Sequence, residues 1–268
     1  MTLVLTELSN VGIVMAADSA ITRISGGRVT EVDEQGWTKL LRVPTINSAI
    51  SYWGMIGSVT QMQFDLWLRR IISSEEYDDL ESFARLISNS LNDACNNQPL
   101  ADGKEVGIHV AGYSQWPDGE QRPVFFHVHN GHGRFVTHEE KDDRGRLVSV
   151  NPKWESDPRK LFEVHQDFPS LSQSQEQNIA ILDRSYITRN GDFYIYATLW
   201  EQMQYAFQYI NLIPNVSIPR DSSRISSRKG FLHTILEMII RLYRCSNQSR
   251  IIGGTVVSLG IGPNGYIP

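Results

Sequence analysis

The residue best placed for chemistry in this sequence is Thr2. Methionine is commonly trimmed ahead of a small second residue, and loss of Met1 would give Thr2 a free α-amine beside its hydroxyl. An α-amine has an ordinary pKa of about 7.7–8.0, so near neutral pH it can take the hydroxyl proton, directly or through a water. That places a nucleophile and its base on one residue. A second group is the run His127-x-His129-x-x-His132. Alternate residues of a strand share a face, so two imidazoles could meet one metal ion. The run ends in a Gly-rich turn, and surface histidines account for it without a metal. No metal and no cofactor is expected.

These residues need elements to hold them. Residues 2–8 and 12–17 read as strands around an Asn10-Val11-Gly12 turn, a hairpin with Thr2 at one end. Residues 25–34 are polar with a Gly-Gly pair and read as a loop. Residues 38–43 and 48–53 read as two strands about Pro44 and Asn47. A helical stretch opens at Gly57 with Ser58 as N-cap, and Phe64, Trp67, Leu68, Ile71 and Ile72 form its apolar face. Leu80, Phe83, Ala84, Ile87, Leu91 and Ala94 define a second helix. Strands follow at 106–113, 124–128 and 134–137. Residues 138–190 are charged, rich in Ser and Gln, and carry Pro152, Pro158 and Pro169. They read as an irregular insertion with one short helix near 159–164. Helices at 199–210 and 232–243, separated by a linker over 214–228, precede a last strand at 251–261. Strands and helices thus come in segregated runs, which is compatible with two sheets packed face to face and a helix pair outside each.

The opening carries more than element order. Thr2 begins a strand, Gly12-Ile13-Val14-Met15-Ala16-Ala17-Asp18-Ser19 and Thr22 follow, then Lys39, then a strand into Gly54 and Gly57-Ser58. This pattern resembles the proteasome β-subunit family of N-terminal nucleophile hydrolases, including its bacterial proteasome-related members. Val106–Tyr113, Pro123–Val128 and Gly253-Gly254-Thr255-Val256-Val257 resemble that family's central strand pair and last strand. The resemblance implies an α+β fold, a four-layer αββα sandwich of two antiparallel sheets flanked by helix pairs. One domain would cover residues 1–268, with the insertion at about 138–190.

The resemblance also implies roles. Thr2 is the expected nucleophile, Asp18 the carboxylate that holds the lysine, and Lys39 the cation that eases deprotonation of the threonine hydroxyl. An ion pair at a strand end, beside a buried hydroxyl, puts fixed charge where an alkoxide develops. Lys39 lies twenty-one residues beyond Asp18, a few more than the family's usual spacing, and a loop lengthens at little entropic cost. Gly57, with Gly54 as the alternative, is the expected backbone donor to an oxyanion. Ile21 and Leu41 are expected beside the nucleophile, lining a pocket for an apolar side chain. The implied activity is that of a threonine-type peptidase or amide hydrolase. The sequence departs from the family just before the last strand. Its Asp-x-x-Ser-Gly group is replaced by Ser249-Arg250-Ile251-Ile252-Gly253. A catalytically weak or inactive scaffold subunit is therefore the alternative.

Composition narrows the partners. The chain has 268 residues, 41% hydrophobic and 21% charged, which excludes a disordered chain. A net charge of −5 argues against a nucleic-acid binder. The sequence holds no apolar run long enough to span a membrane, and its start lacks the positive region of a signal peptide. The two distant cysteines, Cys95 and Cys245, form no disulfide framework, so a cytoplasmic location is expected. The expected partners are a peptide or amide substrate and further copies of the chain, in a ring or a helical stack.

Overall fold

A computed structural model describes residues 2–25, 28–34, 36–54, 57, 59–60, 62–74, 76–96, 105–130, 133–141, 147–156, 162–166, 176–177, 185–191, 194–214, 223–245 and 252–267. The fold is α+β, built on two five-stranded antiparallel sheets.

The first sheet grows from the opening hairpin. Strand β1 (Leu3–Ser9) pairs with β2 (Gly12–Asp18), and every residue of both is buried. Burial on both faces is why these strands read as near-continuous apolar runs. Strand β12 (Tyr186–Gly191) pairs along β1, and β13 (Val256–Gly262) pairs along β2. A turn at Gly262–Gly265 leads into β14 (Gly265–Ile267), giving the order β12-β1-β2-β13-β14.

The second sheet has the order β11-β8-β7-β6-β5. Its strands are β5 (Leu40–Val43), β6 (Ser48–Gly54), β7 (Val106–Gln115), β8 (Gln121–His129) and β11 (Glu163–Gln166). A 3-10 turn, Pro44–Ile46, joins β5 to β6, and Asn47 closes it in the left-handed region.

Helices α1 (Phe64–Ser74) and α2 (Leu80–Ala94) pack on this second sheet. Phe64, Leu68, Leu80, Phe83, Ile87 and Leu91 share one cluster with Ile50, Tyr52, Ile108, Val110, Phe126 and Val128. Asp79 caps α2: its side chain accepts from Ser82 N–H at 2.7 Å, and Ser82 Oγ accepts from Asp79 N–H at 3.0 Å. Helices α3 (Tyr194–Ile210) and α4 (Ile225–Cys245) lie against the first sheet, where Tyr196, Met203, Leu232, Leu236 and Ile239 meet Leu3, Leu5, Val14 and Ala16. A third cluster joins the sheets. Val4, Leu8, Ile13, Met15 and Leu259 contact Leu40, Ala49, Ala111 and Phe125. Among the described residues, no helix is long and apolar enough to cross a membrane.

Several expectations are corrected. The loop expected at 25–34 is part of a hairpin, β3 (Ile21–Ser25) and β4 (Arg28–Asp33), with Ser25 opposite Arg28. Ile21, Thr22, Val29, Thr30 and Val32 supply β-branched residues to a two-stranded ribbon whose many polar residues hide it. The stretch 138–190 is not irregular throughout. Strand β9 (Gly133–Lys141) pairs with β10 (Leu147–Ser156), while β11 and β12 extend the two sheets. Pro152 sits opposite Thr137, and a ribbon with two edges tolerates a proline that would break a central strand. The short helix expected near 159–164 is replaced over Glu163–Gln166 by β11, while 159–161 lie outside the described residues. The linker expected to end at 228 gives way earlier to α4, which starts at Ile225.

Candidate active site

The end of β2, the start of β1 and the lead-in to β5 converge at one buried point. Thr2 precedes β1 and is 5% exposed. Lys39 directly precedes β5, and its Nζ lies 2.6 Å from Thr2 Oγ1. The same Nζ donates to Asp18 Oδ1 at 3.1 Å and to the carbonyl of Ala20. An ammonium has three donors, and here each has a partner. Both side chains of the ion pair have no exposure.

Asp18 is held from three sides. Its Oδ1 accepts from Leu3 N–H at 3.0 Å as well as from Lys39, and its Oδ2 accepts from Gly253 N–H at 3.2 Å. The Leu3 contact follows from register: Val4 pairs with Ala17, so the next step along the hairpin brings Leu3 beside Asp18. Burial pushes the Asp18 carboxyl up from the usual carboxylate range, and the Lys39 charge and the two N–H bonds oppose that push. Burial pushes Lys39 down from the usual lysine range, and Asp18 opposes it. Desolvation disfavours either charge, while the partner favours it. As an ammonium, Lys39 donates to the Thr2 hydroxyl and sets a positive charge beside it.

Gly54 closes β6 opposite Val106. Gly57 is exposed, with open space around its α-carbon, and α1 starts only at Phe64. Gly57 itself lies in a 3-10 turn, and the α-helix that carries the apolar face begins only at Phe64. Val59 is buried, and Thr60 Oγ1 donates to Met62 C=O at 2.8 Å, so a turn stands between Gly57 and the first residue of the apolar face. Ser58 lies outside the described residues. Leu41 is buried in the cluster under α1, and Ile21 is half-buried against that same cluster.

The histidines are not all on the surface. His127 is buried, and it belongs to a row that sequence inspection missed. His109 and His127 are direct partners across β7 and β8, and His127 and His165 across β8 and β11. Ring centroids lie 5.2 Å apart for His109–His127, 4.3 Å for His127–His129 and 4.8 Å for His129–His165. Burial lowers His109 from 6.5 to about 4, and it lowers His127 well below its usual value. Among the described residues, no three His, Cys, Asp or Glu side chains are grouped to hold a metal. His132 lies outside the described residues.

The sequence pattern also passed over Gly253 N–H and the Ala20 carbonyl. Both are backbone groups, which no residue type announces. Ile252, standing where the family pattern has a serine, is fully buried in the cluster beneath α4 and anchors the strand lead-in that presents Gly253.

The fold and this buried cluster define an α+β chain with a threonine, a lysine and an aspartate at the head of its central strands. No family model matches the sequence, and no curated protein matches it. Solved structures do match. Anbu (ancestral beta-subunit) from Yersinia bercovieri superposes with a TM-score of 0.51 at 10% identity, covering 97% of this chain and 81% of that one. The Anbu (Gly-1) mutant from Hyphomicrobium sp. strain MC1 gives a TM-score of 0.49 at 11% identity, covering 98% and 82%. The likeness to the Yersinia protein is one of fold.

Proposed function

We propose that the chain is a proteasome-like, N-terminal threonine hydrolase acting on a peptide or amide carbonyl. The observation that carries this reading is the 2.6 Å contact between Lys39 Nζ and Thr2 Oγ1, with Asp18 behind it. Removal of Met1 frees the Thr2 α-amine. Thr2 Oγ then bonds to the carbonyl carbon while its proton passes to that amine, and the Lys39 charge stabilises the alkoxide as it develops. A backbone N–H of the segment from Gly54 to Gly57 is the proposed oxyanion donor. The tetrahedral intermediate expels the amine, which takes the proton, and water then cleaves the acyl-threonine ester. Ile21 and Leu41 would flank the side chain ahead of the cleaved bond.

The reading includes a four-layer αββα arrangement in one domain and a homo-oligomer, as a ring or helical stack, in the cytoplasm. Cys95 and Cys245 are both free thiols, which suits a reducing compartment. No cofactor enters the chemistry.

A second reading is a scaffold subunit with little or no turnover. It is favoured by the start of α1 at Phe64, which leaves Gly57 exposed and well ahead of that helix. The two readings part on one experiment: intact-mass analysis, then incubation with a peptide β-lactone and mass mapping. A chain lacking Met1 with an adduct on Thr2 supports the hydrolase. A chain that keeps Met1, or forms no adduct, supports the scaffold.

A further inference from the structure

We propose that Ser19 is a positioning residue for this site, stapling two separate backbone stretches into the places where they hold Asp18 and Lys39. The inference rests on the reading of Thr2 as nucleophile and extends it. Ser19 is 9% exposed. Its hydroxyl donates to the Glu34 carbonyl at 2.7 Å and accepts from Thr255 N–H at 2.9 Å. Thr255 Oγ1 lies 3.3 Å away. One hydroxyl thus ties the end of β2 to the chain just ahead of Lys39 and to the lead-in of β13.

The Thr255 end of that tie reaches the site. Gly253, two residues before Thr255, donates its N–H to Asp18 Oδ2 at 3.2 Å. Its carbonyl accepts from Ala20 N–H at 3.2 Å, and the Ala20 carbonyl in turn accepts from Lys39 Nζ. Ser19 therefore acts through backbone groups of its neighbours. Gly254 shows how closely the segments are drawn together. Its φ is +74°, and a Cβ there would lie 2.2 Å from both Ser19 Oγ and Glu34 O. Only glycine fits that conformation beside that hydroxyl.

Without the Ser19 hydroxyl, Thr255 N–H and Glu34 C=O lose their partner, and the 253–255 segment is free to move off Asp18. A hydrogen bond to a carboxylate favours its ionised form, so losing the Gly253 bond raises the pH at which Asp18 takes a proton. A displacement of about 1 Å near a reacting group can cost about a hundredfold in rate.

The test follows β-lactone adduct formation on Thr2 against pH in wild type, Ser19→Ala, Ser19→Thr and Thr255→Val. The Asp18 carboxyl carbon is titrated by NMR in the same proteins, a readout that needs no turnover. Ser19→Ala should slow adduct formation about tenfold or more, move its acid limb to higher pH and raise the Asp18 midpoint, while a thermal scan shows it folded. Ser19→Thr restores the hydroxyl and should restore both readouts. Thr255→Val keeps the N–H and should behave as wild type. An unmoved Asp18 midpoint in folded Ser19→Ala overturns the proposal, as does a rate loss matching the unfolded fraction with the limb in place. A wild-type chain that forms no adduct overturns the nucleophile reading instead, and the Asp18 titration still decides the role of Ser19.

Discussion

His109 of β7 and Thr6 of β1 bond across the space between the two sheets, with His109 Nδ1 at 2.9 Å from Thr6 Oγ1. The other ring nitrogen lies 3.0 Å from Asn190 Oδ1 on β12. An amide oxygen only accepts, so the ring carries its proton on Nε2 and accepts the Thr6 hydroxyl at Nδ1. The neutral ring is satisfied there, and the cation is not. Burial lowers its pKa from 6.5 to about 4. The unfolded chain therefore binds a proton in that window and the folded chain does not, so stability is present above pH 6.5 and falls as pH drops toward 4. Between pH 7 and pH 5 this one group accounts for about 2 kcal/mol. His109→Gln should reduce the acid-induced fall in the urea midpoint by about that amount, measured at the two pH values.

Lys39 and Asp18 are fully buried, so each depends on the other. Lys39→Met leaves Asp18 as an unpaired buried carboxylate and should cost about 3–5 kcal/mol in urea unfolding. Adding Asp18→Asn should recover part of that loss, because no charge is left to desolvate. A double variant less stable than Lys39→Met would show that the carboxylate is held by Leu3 and Gly253 alone. In the hydrolase reading, Lys39→Ala lowers the rate by several powers of ten, since a preorganised charge of this kind is worth about 2.7–4 kcal/mol or more.

Thr2→Ala removes a hydroxyl at a buried position and should abolish β-lactone labelling while the melting temperature stays near wild type. Thr2→Ser keeps hydroxyl and amine and should retain part of the labelling. Peptide hydrolysis unchanged in a trimmed Thr2→Ala protein would place the nucleophile elsewhere.

Gly191 pairs with Leu3, and its φ is +93°. A Cβ on Gly191 would fall 1.8 Å from the carbonyl oxygen of Thr2. Gly191→Ala must push the head of β1 away from β12 and should cost about 1–3 kcal/mol from backbone strain alone. Because that displacement moves Thr2 itself, labelling at Thr2 should fall at temperatures where circular dichroism still reports a folded chain.

Sequence alone made some of this legible for clear reasons. The β1–β2 hairpin is apolar on both faces around a short turn, and the α2 face repeats at 3.6 residues, so its span of 80–94 needed nothing tertiary. The ribbon β3–β4 buries too little to impose a pattern, and β12, at a sheet edge, has only exposed and half-buried residues. At the site, Thr2 could be proposed from its residue type and place, and Asp18 and Lys39 from the resemblance of the opening to a known family. Gly253 N–H and the Ala20 carbonyl could not, since any residue supplies them. His109 looked like one histidine in an apolar strand, because only strand register reveals that it faces His127 and Thr6.

The order β12-β1-β2-β13-β14 has a consequence for how the molecule is made. The β1–β2 hairpin is translated before either of its flanking strands, which begin at Tyr186 and Val256. Until then an apolar hairpin has two open edges, the kind of surface that seeds aggregation. Pairings so distant in sequence are slow to form because loop-closure entropy must be met first. The strand that presents Thr2 is thus made well before the sheet around it can be completed. Its assembly waits on β12 and β13.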